Sequence, residues 1–173
     1  MTPRPGRRRE RDGHLDGDTI VTNDTTDRQA GPSAAGVRER AGGAAPGTLS
    51  VLVLDDEPIV GKRLKPALEK AGLEVECFVD PAEALARLEA RDFDIVVTDV
   101  RMEGLDGIEI LERIMVRQPR TRVILITGYA TVEVAREALV KGAFDFIAKP
   151  FKPGDLMAVV NKAALSLGHK AIL

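Results

Sequence analysis

The chain has 173 residues and a formal net charge of −2, from 25 lysine and arginine residues against 27 aspartate and glutamate residues. This balance excludes a strongly basic nucleic-acid binder and a polyanionic tail as descriptions of the whole chain. The length accommodates one well-packed domain with an appendage, because a domain usually has about 100 to 200 residues. The apolar runs are far shorter than the ~20 residues of a membrane-spanning helix, so we predict that the chain does not cross a bilayer.

The cysteine and histidine content excludes two further classes of protein. Cys77 is the single cysteine, so no internal disulfide can form, and only two histidines are present. These residues are too few and too far apart in the sequence for a zinc site. No apolar stretch follows the arginine-rich start, so we expect no targeting peptide. We therefore expect a cytoplasmic protein.

Residues 1–47 differ in composition from the rest of the chain. They contain 8 of the 16 glycines and 4 of the 10 prolines, but only five residues of the types Met, Leu, Ile and Val. So few apolar side chains cannot offset the entropy of ordering, and we predict a disordered tail. The arginine cluster in this segment is compatible with binding to nucleic acid or to an acidic partner. A solvated tail is the favoured interpretation, because short basic runs are weak motifs.

From Leu49 onward, short apolar runs alternate with stretches of helical period. The runs predict five strands, at residues 49–54, 75–79, 95–97, 123–126 and 144–148. Several runs are almost continuously apolar, which is typical of strands that are covered on both faces of a parallel sheet. Strict alternation with helices predicts an α/β fold with right-handed crossovers and helices on both faces.

Local signals mark where several helices begin and end. Asp80 followed by Pro81 predicts a helix start, and the predicted helix ends lie at Gly72, Gly142 and Gly168. Pro66 falls inside the first predicted helix, where the missing N–H and the ring cost about 3 kcal/mol. The last helix has one apolar face, formed by Leu156, Val159, Val160, Ala163, Ala164 and Leu167.

Polar side chains follow four of the five predicted strands. These side chains are Asp55, Asp56, Glu57, Asp99, Thr127 and Lys149. In an open parallel sheet, ligands bind beyond the carboxyl ends of the strands, so we expect these groups to meet in one crevice. Clustered carboxylates repel each other, and oxygen ligands without His or Cys favour a hard cation such as Mg²⁺. The alternative is that each acid caps a helix or pairs with Lys149.

Four motifs occur in a fixed order along the chain. They are V-L-V-L-D-D-E-P at residues 51–58, I-V-V-T-D-V-R-M-E-G-L-D-G at 95–107, I-L-I-T-G-Y-A at 124–130 and G-A-F-D-F-I-A-K-P-F at 142–151. With these motifs, residues 49–167 resemble the receiver domain of two-component response regulators, a chemotaxis-regulator-like domain. The resemblance is strongest to receivers of nitrogen-regulation-type activators.

The resemblance implies a flavodoxin-like, doubly wound sheet of five parallel strands in the order 2-1-3-4-5, with five helices. The receiver domain would span residues 48–169, between the disordered tail at 1–47 and a short C-terminal tail at 170–173. We expect no output domain after this tail.

The resemblance also assigns roles to the polar residues. Asp99 matches the phospho-accepting aspartate, while Lys149 and Thr127 would hold the phosphoryl group. Mg²⁺ would be bound by the side chains of Asp55, Asp56 and Asp99 and by the main-chain carbonyl of Arg101. Glu57 would cap the following helix or support the ligands.

Further residues match positions that control switching and phosphoryl lifetime. Thr127 and Phe146 match the switch pair, although Phe146 is equally well explained as a core ring. Arg101 and Tyr129 would flank the path of hydrolytic water and slow dephosphorylation, with solvated loop residues as the alternative. The resemblance further implies a cis peptide bond before Pro150.

A receiver is a signalling protein of phosphorelay signal transduction and catalyses only its own phosphorylation and dephosphorylation. The implied partners are a sensor histidine kinase or phosphotransfer protein and an unknown downstream protein, and a phosphorylation-dependent homodimer is left open. Two alternatives remain. One is a Mg²⁺-dependent phosphatase with an aspartyl-phosphate intermediate. The other is a truncated DNA-binding transcriptional regulator, although the sequence does not favour nucleic acid as a partner.

Overall fold

The structure is a computed structural model that describes residues 47–172. The predicted disordered tail lies, apart from Gly47, outside the described residues. The strands are β1 (Ser50–Leu54), β2 (Glu74–Phe78), β3 (Ile95–Asp99), β4 (Arg122–Thr127) and β5 (Asp145–Ala148). The helices are α1 (Pro58–Lys70), α2 (Pro81–Ala90), α3 (Gly107–Arg117), α4 (Val132–Val140) and α5 (Pro153–Ser166). Within this part of the chain, no helix has both the length and the apolar composition needed to cross a membrane.

The strands form one parallel sheet in the order β2-β1-β3-β4-β5, which confirms the predicted fold. β1 lies between β2 and β3, and Val51 is paired with Val75 on one side and Ile95 on the other. Every residue of β1 and β3 is buried, because helices cover both faces. This burial explains the continuous apolar runs in the sequence. The chain reverses direction across the sheet between β1 and β3, so a crevice opens at their carboxyl ends.

Alternate residues of each strand serve two separate cores. Val51 and Val53 of β1 face the core that contains α1 and α5. Leu52 and Leu54 face the other core, which contains residues of α2, α3 and α4. The predicted apolar face of the last helix is confirmed in the first core, where it contributes Leu156, Val159, Val160, Ala163, Ala164 and Leu167. The sheet is therefore anchored from both sides, which fixes the positions of its strand ends.

The predicted helix signals are confirmed at several helix ends. The Asp80 carboxylate accepts a hydrogen bond of 2.7 Å from the Ala82 N–H and so caps α2. Pro66 lies inside α1, as the sequence indicates. Three glycines with positive φ follow α1, α4 and α5, namely Gly72, Gly142 and Gly168.

A cluster of charged side chains joins α2 to the edge strand β2. The Arg91 guanidinium donates hydrogen bonds to Glu74 at 2.6 and 2.8 Å and to Glu76 at 2.9 Å. It also lies 4.9 Å from the centroid of the Phe93 ring. Hydrogen bonds from Arg91 lower the pKa of Glu74, and those from Arg87 lower the pKa of Glu76. Arg91 is itself buried, and the two acids compensate its charge.

Replacement of Arg91 by methionine is expected to lower the free energy of unfolding by about 2 kcal/mol, because Glu74 then loses its buried partner. Urea denaturation at neutral pH measures this loss. The matched control is Arg117→Met, which removes an exposed 3.1 Å ion pair with Glu89. The control should change stability by less than about 0.5 kcal/mol. Equal losses in the two variants would contradict a special role for Arg91.

Candidate functional site

The carboxyl ends of four strands bring together the predicted polar side chains. Asp55 follows β1, Asp99 ends β3, Thr127 ends β4 and Lys149 follows β5. The two aspartates and Thr127 are buried, whereas Asp56 is exposed at the mouth of the crevice. The side chain of Lys149 reaches across the sheet and contacts the acids at the ends of β1 and β3.

Lys149 is the centre of this arrangement. Its ammonium nitrogen lies 2.9 Å from Asp55 Oδ2 and 3.3 Å from Glu57 Oε1, and it donates a short hydrogen bond to Asp99 Oδ2. Burial alone would lower the pKa of Lys149, but the hydrogen bonds and negative charges of Asp99 and Asp55 outweigh it and raise the pKa. Lys149 therefore carries its positive charge at neutral pH.

Asp55 lacks full compensation for its charge. Its Oδ1 accepts a 3.0 Å hydrogen bond from the Glu57 N–H. Its Oδ2 is buried and has no hydrogen-bond partner beyond the ion pair of 2.9 Å with the Lys149 ammonium. Burial raises the pKa of Asp55, and Lys149 opposes this shift only in part. A buried carboxylate oxygen with spare acceptor capacity has the chemistry of a ligand atom for a hard cation.

The acids also have the spacing of a metal site. Asp55, Asp56 and Asp99 each offer one carboxylate oxygen, and these three oxygens lie within 4.8 Å of one another. The main chain of Arg101 lies beside them, because its N–H donates a 3.0 Å hydrogen bond to Asp99 Oδ1. Oxygen donors alone suit a hard cation such as Mg²⁺. The residues present therefore fit the predicted ion.

The two predicted switch residues lie on neighbouring strands. Thr127 is fully buried, and its Oγ1 accepts a 3.0 Å hydrogen bond from the Tyr129 N–H. Phe146 is half-buried, lies opposite Leu125 in the sheet and packs against the core that contains α2, α3 and α4. Residues with a purely structural role would make the same contacts, so the role of Thr127 and Phe146 in switching stays a prediction.

Arg101 and Tyr129 lie on the loops after β3 and β4. The Arg101 guanidinium carbon is 4.2 Å from the centroid of the Tyr129 ring, and both side chains are exposed. Across the site, the Lys149–Pro150 peptide bond is cis. The Lys149 N–H donates a 2.7 Å hydrogen bond to the Thr127 carbonyl, which ties the lysine to the end of β4.

The expected capping role of Glu57 is wrong, and the residue instead pairs with Lys149, the alternative that the sequence left for these acids. It occupies the N-cap position of α1, but its side chain makes no capping hydrogen bond. The carboxylate instead accepts a 3.3 Å hydrogen bond from the Lys149 ammonium. Three carboxylates therefore surround one lysine. The adjacent acids of the D-D-E-P motif indicate a cluster of carboxylates in the sequence. Which basic residue each carboxylate contacts is determined only when the chain folds.

Gly107 is a second residue that sequence reasoning did not single out. A Cβ atom at this position would lie 2.0 Å from the Asp99 carbonyl oxygen and 3.0 Å from the Val100 Cα. The Gly107 N–H donates a 2.9 Å hydrogen bond to the Val100 carbonyl, so α3 begins directly against the end of β3. Asp106 caps this helix through a 2.7 Å hydrogen bond from the Ile108 N–H. The available signal was the D-G pair before an amphipathic stretch.

Comparison with known proteins identifies the family of this chain. Residues 51–161 match the family described as the response regulator receiver domain. The C4-dicarboxylate transport transcriptional regulatory protein DctD of Rhizobium meliloti is 39% identical over 114 residues, which cover 66% of this chain and 25% of DctD. The transcriptional regulatory protein FixJ of Bradyrhizobium diazoefficiens is 39% identical over 113 residues, which cover 65% of this chain and 55% of FixJ. The chain thus spans a quarter to about half of the length of these relatives.

Solved structures of isolated receivers are similar over nearly their whole length. A CheY-like response regulator receiver domain protein from Methanospirillum hungatei JF-1 is 30% identical with a TM-score of 0.67, and the match covers 70% of this chain and 97% of that one. The beryllofluoride-activated NtrC4 receiver domain dimer is 31% identical with a TM-score of 0.65, over 68% of this chain and 98% of that one.

The contact at Gly107 predicts a large steric effect. Gly107→Ala is expected to lower the free energy of unfolding by about 2–3 kcal/mol, because the new methyl group displaces either the Asp99 backbone or the start of α3. Chemical denaturation measures this loss. Gly154→Ala is the control, since a Cβ there meets nothing within 4 Å in the first turn of α5. A wild-type stability for Gly107→Ala would show that the close approach is absent in solution.

Proposed function

The chain belongs to the family of response regulator receiver domains, and from this premise we propose that Asp99 accepts a phosphoryl group from a partner histidine kinase or phosphotransfer protein. Receiver domains serve phosphorylation-based signalling. The observation that carries the proposal is the position of Asp99, a buried carboxylate at the end of β3 that contacts Lys149 and lies within the group of three acids. Residues 48–169 would be the receiver unit.

The chemistry that we propose requires positioning more than a strong nucleophile. A carboxylate oxygen of Asp99 forms a bond to phosphorus while the N–P bond of the phosphohistidine breaks, and the imidazole leaves with the electron pair. In-line transfer of this kind depends on alignment and on neutralisation of the charge on the equatorial oxygens. The Lys149 ammonium provides one neutralising charge at the correct strand end. The buried Thr127 hydroxyl would donate a hydrogen bond to a phosphoryl oxygen.

Mg²⁺ is the cation that we propose for the three acids. The side chains of Asp55, Asp56 and Asp99 and the main-chain carbonyl of Arg101 would hold it. When bound, Mg²⁺ supplies a positive charge that offsets repulsion between these carboxylates and an incoming phosphoryl group. The buried Asp55 Oδ2, which has no hydrogen-bond partner beyond its ion pair with Lys149, and the 4.8 Å grouping of carboxylate oxygens support this assignment.

The signal would leave the site through Thr127 and Phe146. A phosphoryl group adds about 1.5 to 2 negative charges and strong acceptor oxygens, which would draw the Thr127 hydroxyl toward it. The Phe146 ring would then rotate into the space that Thr127 leaves. The surface that changes is formed by α4, β5 and α5. Arg101 and Tyr129, which project from the loops beside Asp99, would slow hydrolysis of the phosphoryl group.

Exposed apolar side chains on α4 support a protein partner at this surface. Val132, Leu139 and Val140 are 79%, 53% and 81% exposed. Large exposed apolar side chains that lie together are typical of interaction sites. The NtrC4 receiver, which is similar to this chain, is described as a dimer in its beryllofluoride-activated form. We extend the proposal to a phosphorylation-dependent homodimer of this chain, alongside a downstream protein target.

The proposed site is tested by labelling with acetyl phosphate in Mg²⁺ and measuring the intact mass. The wild-type protein should gain one phosphoryl group, and chelation of Mg²⁺ should abolish the gain. Asp99→Asn should remain unlabelled, because the amide is not a nucleophile. Asp92→Asn, an exposed change before β3, serves as the matched control and should be labelled like the wild type.

Equal labelling of Asp99→Asn and the wild type would refute Asp99 as the acceptor. Phosphotransfer from purified histidine kinases of the same genome tests the partner class, and it should reach the wild type and not Asp99→Asn. Repeated turnover of small phosphate esters at Asp99 would instead favour a phosphatase.

A further inference from the structure

The helices on one face of the sheet leave an apolar groove open. The groove lies between α2 and α3 and has a volume of about 440 Å³, within the ~300–1,000 Å³ that is typical of binding pockets. Its apolar lining comes from both helices, namely Leu85, Leu88, Ile114 and Val116. Val116 is 84% exposed. The groove is therefore an apolar surface that no part of the described chain covers.

The helix α4 presents an apolar ridge on the outside of the molecule. Of its nine residues, only Ala138 is fully buried. Exposed side chains follow one face of this helix and form the ridge, namely Val132, Arg136, Leu139 and Val140. An amphipathic helix binds an apolar groove through side chains with this spacing. The ridge and the groove therefore have matching shapes and matching apolar character.

The groove and the ridge also have complementary charges. Both acids at the rim of the groove are already paired with a cation, Glu89 at 3.1 Å and Glu112 at 2.9 Å. Arg113 at the same rim is exposed and makes no ion pair in the described part of the chain. Beside the ridge, Glu133 is exposed and makes no ion pair with any described residue. The unpaired charge of each surface is thus opposite in sign to that of the other.

The ridge can reach the groove of a second copy but not the groove of its own chain. Residues of α2, α3 and α4 pack in one core, so these helices cover the same face of the sheet. Glu112 of α3 contacts Lys141 at the end of α4, and α3 therefore separates α4 from the groove of the same chain. When two copies face each other, a two-fold rotation gives every contact twice.

We propose that two copies of this chain form a two-fold dimer in which the α4 ridge of each copy lies in the α2–α3 groove of the other. Val140 of one copy and Val116 of the other form the apolar centre of each contact. Arg113 pairs with Glu133 of the second copy at the rim. Each copy uses both of its surfaces, so the dimer is closed, and it forms without a phosphoryl group.

The dimer has a consequence for signalling. It covers α4, which belongs to the surface that we propose to change on phosphorylation. A downstream protein, or a phosphorylation-dependent homodimer through α4, therefore competes with this contact. The unphosphorylated dimer holds the chain in a form that cannot bind its target. This consequence rests on the proposed output surface, whereas the contact itself does not.

Sedimentation equilibrium of the unphosphorylated full chain, without divalent cations, tests the dimer. The average mass of the wild type should rise toward that of a dimer between about 10 µM and 1 mM. Val116→Glu and Val140→Glu should each weaken association at least about tenfold, because a carboxylate then lies unpaired in an apolar contact. Leu165→Glu, a change at a 51% exposed residue of α5, is the matched control and should dimerise like the wild type.

An equimolar mixture of Val116→Glu and Val140→Glu identifies which surfaces meet. The first variant keeps an intact ridge and the second keeps an intact groove, so a mixed dimer contains one intact contact. The mixture should therefore associate more strongly than either variant alone. A groove that binds a second groove would leave Val140→Glu dimeric, and an α4 that binds a second α4 would leave Val116→Glu dimeric. Either result would overturn the proposal.

Exchange of charges tests the pair at the rim. Arg113→Glu and Glu133→Arg should each weaken association by about two- to fivefold, which is the effect of losing an exposed ion pair. The double variant contains both opposite charges in exchanged positions and should recover the affinity of the wild type. A double variant that is weaker than both single variants would overturn the contact between Arg113 and Glu133.

The remaining outcomes separate the dimer from the proposed phosphorylation. A wild type that stays monomeric over the whole concentration range, or a mixture that associates no better than its components, would overturn the dimer. Growth of the mass beyond that of a dimer would overturn the two-fold arrangement. Neither a phosphoryl donor nor Mg²⁺ is present in these measurements. Absence of label at Asp99 would therefore overturn the proposed function and leave the dimer intact.

Discussion

The carboxyl edge of the sheet depends on the positive charge of Lys149. Three carboxylates, those of Asp55, Glu57 and Asp99, approach its ammonium nitrogen, and two of them are buried. Buried acids at such short separations repel each other, and a nearby positive charge offsets this repulsion. The charge of Lys149 therefore allows these carboxylates to lie close together in the folded protein. The main-chain N–H of Lys149 donates a hydrogen bond to the Thr127 carbonyl at the end of β4, so pairing within the sheet places the lysine at the site.

The same sheet explains why these groups meet at all. Parallel strands place all their carboxyl ends at one edge, and the reversal of direction between β1 and β3 leaves that edge open. Two separate cores hold the strands from opposite faces. Gly107 then allows α3 to begin against the Asp99 carbonyl, which keeps the proposed acceptor at the end of its strand. A small residue at one turn thus has a direct effect on the geometry of the acid cluster.

Most of the fold and the acid cluster could be predicted from the sequence, because both follow from periodic patterns. The apolar runs gave the strands, and the acids lie immediately after them. Contacts between side chains of distant loops have no such pattern. The stack of Arg101 on Tyr129 and the hydrogen bond between Glu57 and Lys149 depend on where the folded loops bring them. The burial of Arg91 could not be predicted from the sequence either, because its acidic partners on β2 approach it only in the folded structure.

The central claim is that Lys149 stabilises the site through its charge, and the pH dependence of Lys149→Met tests it most directly. The unfolding free energies of both proteins are measured without divalent cations at pH 7 and pH 4. Lys149 is charged at both pH values, so any change in stability with pH comes from the acids. Because the pKa of Asp55 is raised in the folded protein, ionisation of Asp55 lowers the free energy of unfolding as the pH rises. We predict a loss of about 2–4 kcal/mol at pH 7 that falls to about 1 kcal/mol at pH 4. An equal loss at both pH values would show that Lys149 acts through packing, and it would contradict the account.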